Sequence, residues 1–240
     1  LLFQAEGMSN NIGGVILFDE TIRQNTVDGT ALVDLIKQKE ALPGIKVDKG
    51  LAPFENSDIE KVTQGIEDLD ARCAEYYKMG ALFTKWRAVI SIGKTLPSQG
   101  CIEENAKLLA RYAKIVQKNN MVPIVEPEVL MDGSHSIEEC YDATSRTLKS
   151  LFQNLEEENV DITGTILKPN MVTPGSECQE KIGVETVAKE TLRCLHECVP
   201  VKLPAITFLS GGQSETVSTE HLDAMNKIGG FPWKLSFSYG

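Results

Sequence analysis

The sequence predicts an α/β fold in which parallel strands alternate with covering helices and close into a (β/α)8 barrel. Three observations carry this reading. Seven short β-rich runs recur along the chain, amphipathic helical stretches separate most of them, and charged residues sit on many of the strands. An open dinucleotide-binding sheet is disfavoured because no GxGxxG turn follows the first strand and the charges do not gather at one crevice.

The predicted strands are, in order, GVILF (14–18), GIKVD (44–48), LFTKWRAVIS (82–91), VPIVE (122–126), DITGTILK (161–168), AITFLS (205–210) and KLSFS (234–238). Between the third and fourth, helical spacing places Leu108, Leu109, Tyr112, Ile115 and Val116 on one face. After the fourth, Cys140, Leu148, Leu151, Phe152 and Leu155 do the same. Both patterns suit helices that cover a parallel sheet, and the acidic LEEENVD (155–161) reads as a solvated helix end. No linker rich in Pro, Gly or Ser divides the chain, so residues 1–240 are expected to form one domain.

With 42% hydrophobic and 24% charged residues, the composition is that of a soluble globular protein, and no apolar run approaches a membrane span of about 20 residues. A formal net charge of −10 argues against nonspecific nucleic-acid binding, which needs clustered cations. Cys73, Cys101, Cys140, Cys178, Cys194 and Cys198 show neither CxxC nor scaffold spacing and read as reduced, mostly buried thiols of a cytoplasmic protein. Cys194 and Cys198 fall one helical turn apart and read as helix packing; a metal site there would lack ligands. His135, His196 and His221 show no ligand pairing, so no metal is expected.

Chemistry is concentrated on the strands. Residues two apart on a strand point the same way, and three strands carry charged pairs at that spacing: Lys46 with Asp48, Lys85 with Arg87, Glu126 with Glu128. Lys168 ends a fourth apolar run and is followed at once by Pro169. On strands buried on both faces such charges must meet one another or a polar ligand, and in a barrel they meet at the C-terminal mouth. The four cations exceed the three anions, which favours a polyanionic ligand. Two glycines in FLSGGQS (208–214), with Ser210, let backbone amides converge on a phosphate, and Ser238 and Gly240 follow the last strand, where barrels often complete such a site.

An amine attacks a ketone only after losing its proton, which a neighbouring cation and burial both favour. An imine also requires a carboxylate to move protons while the carbinolamine loses water, and Glu126 and Glu128 are the candidates. The pattern leaves open which of Lys46, Lys85 and Lys168 is the nucleophile.

The stretches GIKVDKG, KWRAVI, PIVEPEVL, ILKPNMVTPG, ITFLSGGQSE and FSYG resemble class I fructose-bisphosphate aldolases, in order and over nearly the whole chain. The resemblance implies a (β/α)8 TIM barrel, usually a homotetramer. It would cleave fructose 1,6-bisphosphate reversibly to dihydroxyacetone phosphate and glyceraldehyde 3-phosphate, in glycolysis and gluconeogenesis, with no cofactor. By motif position, Lys168 corresponds to the Schiff-base lysine, Glu126 to the general acid/base of imine formation and Glu128 to its hydrogen-bonded neighbour. Lys85 and Arg87 correspond to cations that assist catalysis and bind substrate, Lys46 to a further substrate-pocket lysine, and Ser210, Gly211 and Gly240 to a phosphate site. The family's Glu is replaced by Thr163, a local packing change. The seven runs correspond to the family's strands two to eight. Its first strand, with the aspartate that deprotonates the C4 hydroxyl, would precede Leu1. A phosphate-binding arginine, the last helix and the tail would follow Gly240. A noncatalytic actin-binding or scaffold role is the alternative that the resemblance allows.

Overall fold

The structure is a computed structural model and describes residues 2–240. Among the described residues, nine strands and eight α-helices follow in order. A short 3-10 turn, Leu2–Gln4, leads into α1 (Met8–Asn11), β1 (Gly14–Leu17), α2 (Asp19–Ile22), α3 (Leu32–Gln38), β2 (Leu42–Lys46), β3 (Leu51–Pro53) and β4 (Lys61–Thr63). Then come α4 (Leu69–Met79), β5 (Phe83–Ile90), α5 (Gln99–Lys118), β6 (Val122–Val129) and α6 (Ile137–Glu157). The chain finishes with β7 (Ile166–Leu167), α7 (Val184–Cys198), β8 (Ala205–Phe208), α8 (Glu215–Ile228) and β9 (Lys234–Phe237).

Seven strands form one sheet in the order β1-β2-β5-β6-β7-β8-β9, every neighbouring pair parallel, and each is one of the seven predicted runs. The sheet curls so that one face turns inward and the other packs on the helices. Trp86 of β5 stacks on Tyr112 of α5 at 5.5 Å between ring centroids, and the Tyr112 hydroxyl meets Thr84 Oγ1 at 2.6 Å. Ile45, Val125, Leu167, Ile206 and Phe208 point outward from successive strands into the same layer and are buried. Each such side chain contributes about 1.5 to 3 kcal/mol by leaving water.

The inner face begins with one aromatic ring. Phe83 on β5 fills the space in front of Gly44 on β2, where a Cβ would stand 2.3 Å from the ring, and in front of Gly14 on β1, at 3.1 Å. Glycines on the two neighbouring strands therefore make room for one large side chain at the foot of the sheet. Helix starts are fixed by serine caps: Ser98 accepts from the Cys101 N–H, Ser136 forms a reciprocal capping box with Glu139, and Ser214 accepts from the Val217 N–H.

Two strand boundaries differ markedly from the sequence expectation, and one hairpin is added to it. The run 161–168 reduces to Ile166–Leu167, because Asp161 caps a 3-10 turn, Ile162–Gly164, by accepting from the Thr163 N–H. Thr163 lies exposed in that turn and also donates its hydroxyl to Asp161. The fourth run extends to Val129 and so carries both of its glutamates inside the strand. An antiparallel hairpin, β3 with β4, was not anticipated; its strands are three residues each, too short to show a period of two.

Candidate active site

Pro169 explains why the amine of Lys168 sits where it does. Lys168 donates its N–H to the Val125 carbonyl (2.8 Å) as the last rung of the β6 pairing, and the proline that follows has no N–H to continue it. Its carbonyl instead accepts from the Leu209 N–H (3.1 Å), which ties the end of β7 to the end of β8. Asn170 then locks the turn: its Oδ1 accepts from the Val129 N–H (3.0 Å), and its Nδ2 donates to Thr144 Oγ1 (3.0 Å) and the Met171 carbonyl (3.1 Å). The Lys168 side chain is thereby aimed into the inner face and is only 11% exposed.

Register brings the other charges to it. Lys46 pairs with Lys85 across β2 and β5, and two residues further on Arg87 pairs with Glu126 across β5 and β6. Glu126 lies between two ammonium groups: its Oε1 is 3.1 Å from Lys168 Nζ and its Oε2 is 3.0 Å from Lys85 Nζ. Neither ammonium is aligned to donate to Oε2, so that contact is ionic and the oxygen keeps its lone pairs for another partner. Asp48 continues the chain, at 2.6 Å from Lys46 Nζ and 3.6 Å from Lys85 Nζ, and it accepts from the Arg87 N–H at 3.3 Å. Five side chains, Lys46, Asp48, Lys85, Glu126 and Lys168, thus form one alternating ionic line across four strands. The Arg87 guanidinium turns away from this line and donates to Glu128.

The sequence shows Asp48 only as half of a strand-end pair, by its spacing from Lys46, and the structure makes it the bridge between two lysines. Its partner on β5 lies beyond the reach of local pattern. The unanticipated hairpin supports it. Thr63 donates to the Arg87 carbonyl (2.7 Å), and Arg72 of α4 donates to the carbonyls of Val47 (2.8 Å) and Gly65 (2.6 Å), which fastens the backbone on either side.

Ser210 and Gly211 lie in the turn after β8, where Gly211 and Gly212 adopt φ of 57° and 87°, a region open to glycine at little cost. Ser238 donates its N–H to the Phe208 carbonyl (2.9 Å), which sets the end of β9 beside this turn. Gly240 is exposed, with open space where a side chain would begin. Ser210, Gly211, Ser238 and Gly240 therefore border the mouth rather than joining the ionic line.

The three histidines are scattered: His135 and His221 are buried, and His196 stacks on Trp233 at 5.3 Å on the outer surface. Among the described residues no cluster of His, Cys, Asp and Glu is close enough to hold a metal ion. Cys194 and Cys198 are buried on α7, where Cys198 Sγ contacts the Ser145 carbonyl at 3.7 Å.

A curled parallel α/β sheet with a buried amine–carboxylate line at the C-terminal ends of its strands defines a barrel enzyme. Comparison with known proteins shows its family. The family model described as fructose-bisphosphate aldolase class-I matches residues 1–240. A probable fructose-bisphosphate aldolase class 1 of Xanthomonas axonopodis is 52% identical over the whole chain, which spans 72% of that relative. The cytosolic fructose-bisphosphate aldolase 6 of Arabidopsis thaliana is also 52% identical, with 67% of its length covered. A crystal structure of the Plasmodium falciparum aldolase, in complex with TRAP and a small-molecule inhibitor, superposes with a TM-score of 0.97 at 48% identity. That match covers 99% of this chain and 69% of the other. The chain belongs to the class I fructose-bisphosphate aldolase family, whose members are lyases built on the (β/α)8 TIM barrel.

Proposed function

We propose that the chain carries out the family's reaction, reversible cleavage of fructose 1,6-bisphosphate to dihydroxyacetone phosphate and glyceraldehyde 3-phosphate, through an imine on Lys168. One observation carries the assignment of the nucleophile: among the described residues, Lys168 is the strand lysine whose single charged partner is Glu126, at 3.1 Å from Oε1. Lys46 is held by Asp48 alone and Lys85 lies between two carboxylates, so both suit substrate orientation and charge balance better than attack.

Glu126 takes a proton from the Lys168 ammonium, and the freed amine adds to the C2 ketone. A proton passes from the nitrogen to the new alkoxide, and Glu126 returns its proton to the carbinolamine hydroxyl, which leaves as water. The resulting iminium accepts the electron pair of the C3–C4 bond as the C4 hydroxyl gives its proton to a base, the role that the resemblance assigns to an aspartate of the family's first strand. Glyceraldehyde 3-phosphate departs, and an enamine remains. Protonation of the enamine at C3 and addition of water at C2 release dihydroxyacetone phosphate and restore the amine. Glu128 orients Arg87, and Lys46, Lys85 and Arg87 offset the phosphate charge. The turns at Ser210–Gly211 and Ser238–Gly240 supply N–H and hydroxyl donors to phosphate.

Borohydride added with dihydroxyacetone phosphate reduces the imine to a stable amine, and the added mass is expected on the peptide that contains Lys168. Labelling on the Lys46 or Lys85 peptide would reassign the nucleophile. Two further features of the family are carried as proposals. A homotetramer is expected by sedimentation. A cytoplasmic location accords with the cytosolic plant relatives and is tested by fractionation. An actin-binding role draws no argument from the site, and the reading stays with catalysis.

A further inference from the structure

The turn after β8 is held by a relay that the reaction does not require. Gln213 closes the turn twice onto one atom: its N–H donates to the Ser210 carbonyl at 3.1 Å and its Nε2 donates to the same carbonyl at 2.9 Å. Both lone pairs of that carbonyl are taken, so the Ser210–Gly211 peptide plane cannot rotate freely. The peptide is planar and trans, and its N–H, that of Gly211, is directed opposite to the anchored carbonyl. Within the chain, among the described residues, that N–H donates to nothing.

Gln213 is itself held from behind. Its Nε2 reaches Met171 Sδ at 3.6 Å, in the segment that follows Lys168, and its Oε1 lies 2.6 Å from Nδ1 of His221 on α8. With two acceptors on the amide's nitrogen side, its oxygen must face the histidine, so Nδ1 carries the proton and donates. His221 is 5% exposed, and its hydrogen bond runs inward to the turn, across the helix's first two turns. The same helix also anchors the last strand's extension, since Tyr239 donates its hydroxyl to the Ser218 carbonyl (3.1 Å). One helix therefore backs both segments that border the mouth on this side.

We propose that His221 is a positioning residue for phosphate binding: through Gln213 it fixes the Ser210–Gly211 peptide so that the Gly211 N–H is presented to a phosphate oxygen of the substrate. This rests on the reading of the Ser210 turn as a phosphate site. Without the relay the two glycines leave the turn free to visit conformations in which the N–H points elsewhere, and phosphate binding bears that ordering cost. The effect falls on affinity rather than on the imine chemistry, which lies on other strands.

The test uses the whole protein, with KM and kcat for fructose 1,6-bisphosphate and the inhibition constant of inorganic phosphate as readouts. His221→Leu is expected to raise KM and the phosphate inhibition constant together by about five- to tenfold, the size of one neutral hydrogen bond, with a smaller change in kcat. His221→Asn places an amide nitrogen where Nδ1 stands and restores both constants to within about twofold of the parent. His221→Gln places its nitrogen where Nε2 stands and does not. If His221→Leu fails to fold, Gln213→Met, which keeps His221 and the side-chain length, is expected to show the same rise. Constants unchanged in these variants, or rescue by Gln as complete as by Asn, would overturn the proposal. Amide chemical shifts separate the two readings. If inorganic phosphate leaves the Gly211 amide of the parent unmoved, the turn is not a phosphate site and the underlying reading fails; if it moves that amide equally in the parent and in His221→Leu, the relay alone is refuted.

Discussion

Glu126 Oε1 stands 3.1 Å from Lys168 Nζ, a separation at which a carboxylate can accept and return the amine's proton without either backbone moving. The other oxygen of Glu126 faces Lys85 at 3.0 Å, so one buried carboxylate is shared by two ammonium groups on the strands to either side. The chemistry of the site depends on that shared position.

Replacing this carboxylate by an amide removes the proton acceptor and leaves its shape. Glu126→Gln is expected to slow formation of the borohydride-trapped imine by about 10² to 10⁴-fold in a single-turnover assay. It also leaves Lys168 without an anion in contact, and breaking a partly buried pair costs about 1 to 3 kcal/mol, seen as a lower Tm. An imine rate within a few-fold of the parent would assign the proton transfer to another group.

Asp48→Asn separates charge from position. Lys46 keeps its hydrogen bond to the residue 48 carbonyl (2.9 Å), but both lysines lose their shared anion. The pocket becomes more positive, so inorganic phosphate should inhibit more strongly, while displacement of Lys85 lowers kcat by about ten- to a hundredfold. Weaker phosphate inhibition would show that Asp48 organises the pocket rather than opposing the anion.

Gly44→Ala probes the foot of the inner face. The added methyl would stand 2.3 Å from the Phe83 ring, and the ring has β1 on its other side. Loss of about 1 to 3 kcal/mol is expected from urea unfolding, and Phe83→Leu in the same chain should recover much of it. Equal stability of the single variant and the parent would mean that the ring is free to move aside.

Thiol reactivity should follow burial. Burial pushes the thiols of Cys73 and Cys101 up to about 12, so near neutral pH only about one part in 10⁵ of each is thiolate. Cys178 is half-buried in the segment after β7. Brief alkylation of the native protein, read by peptide mass, is expected to modify Cys178 before Cys73 or Cys101; early loss of either buried thiol would mean that α4 or α5 opens locally.

Much of the fold is written in local pattern. Seven apolar runs became seven parallel strands because burial on both faces requires continuous hydrophobicity, and that requirement shows in composition alone. The faces of α5 and α6 follow from helical period for the same reason, and the predicted residues on them are buried, with Ile115 partly so. The period of two also placed Lys46 with Asp48, Lys85 with Arg87 and Glu126 with Glu128, since a strand's side-chain alternation needs no neighbour. Family resemblance then named Lys168, where period alone left three lysines open.

What the sequence determined by itself is therefore which side chains could face inward and which chain segments would carry them. The folded sheet decided how far apart they stand. Strand order β5-β6-β7 puts a glutamate strand between two lysine strands, and register sets Glu126 opposite Arg87, which brings it to the height of both amines. The two-residue β7, the hairpin behind Asp48 and the grip of His221 on Gln213 were likewise set by tertiary contact. Periodicity reports only the direction of a side chain along its own strand. Separation across strands is fixed by backbone pairing between segments remote in sequence, and no local pattern encodes it.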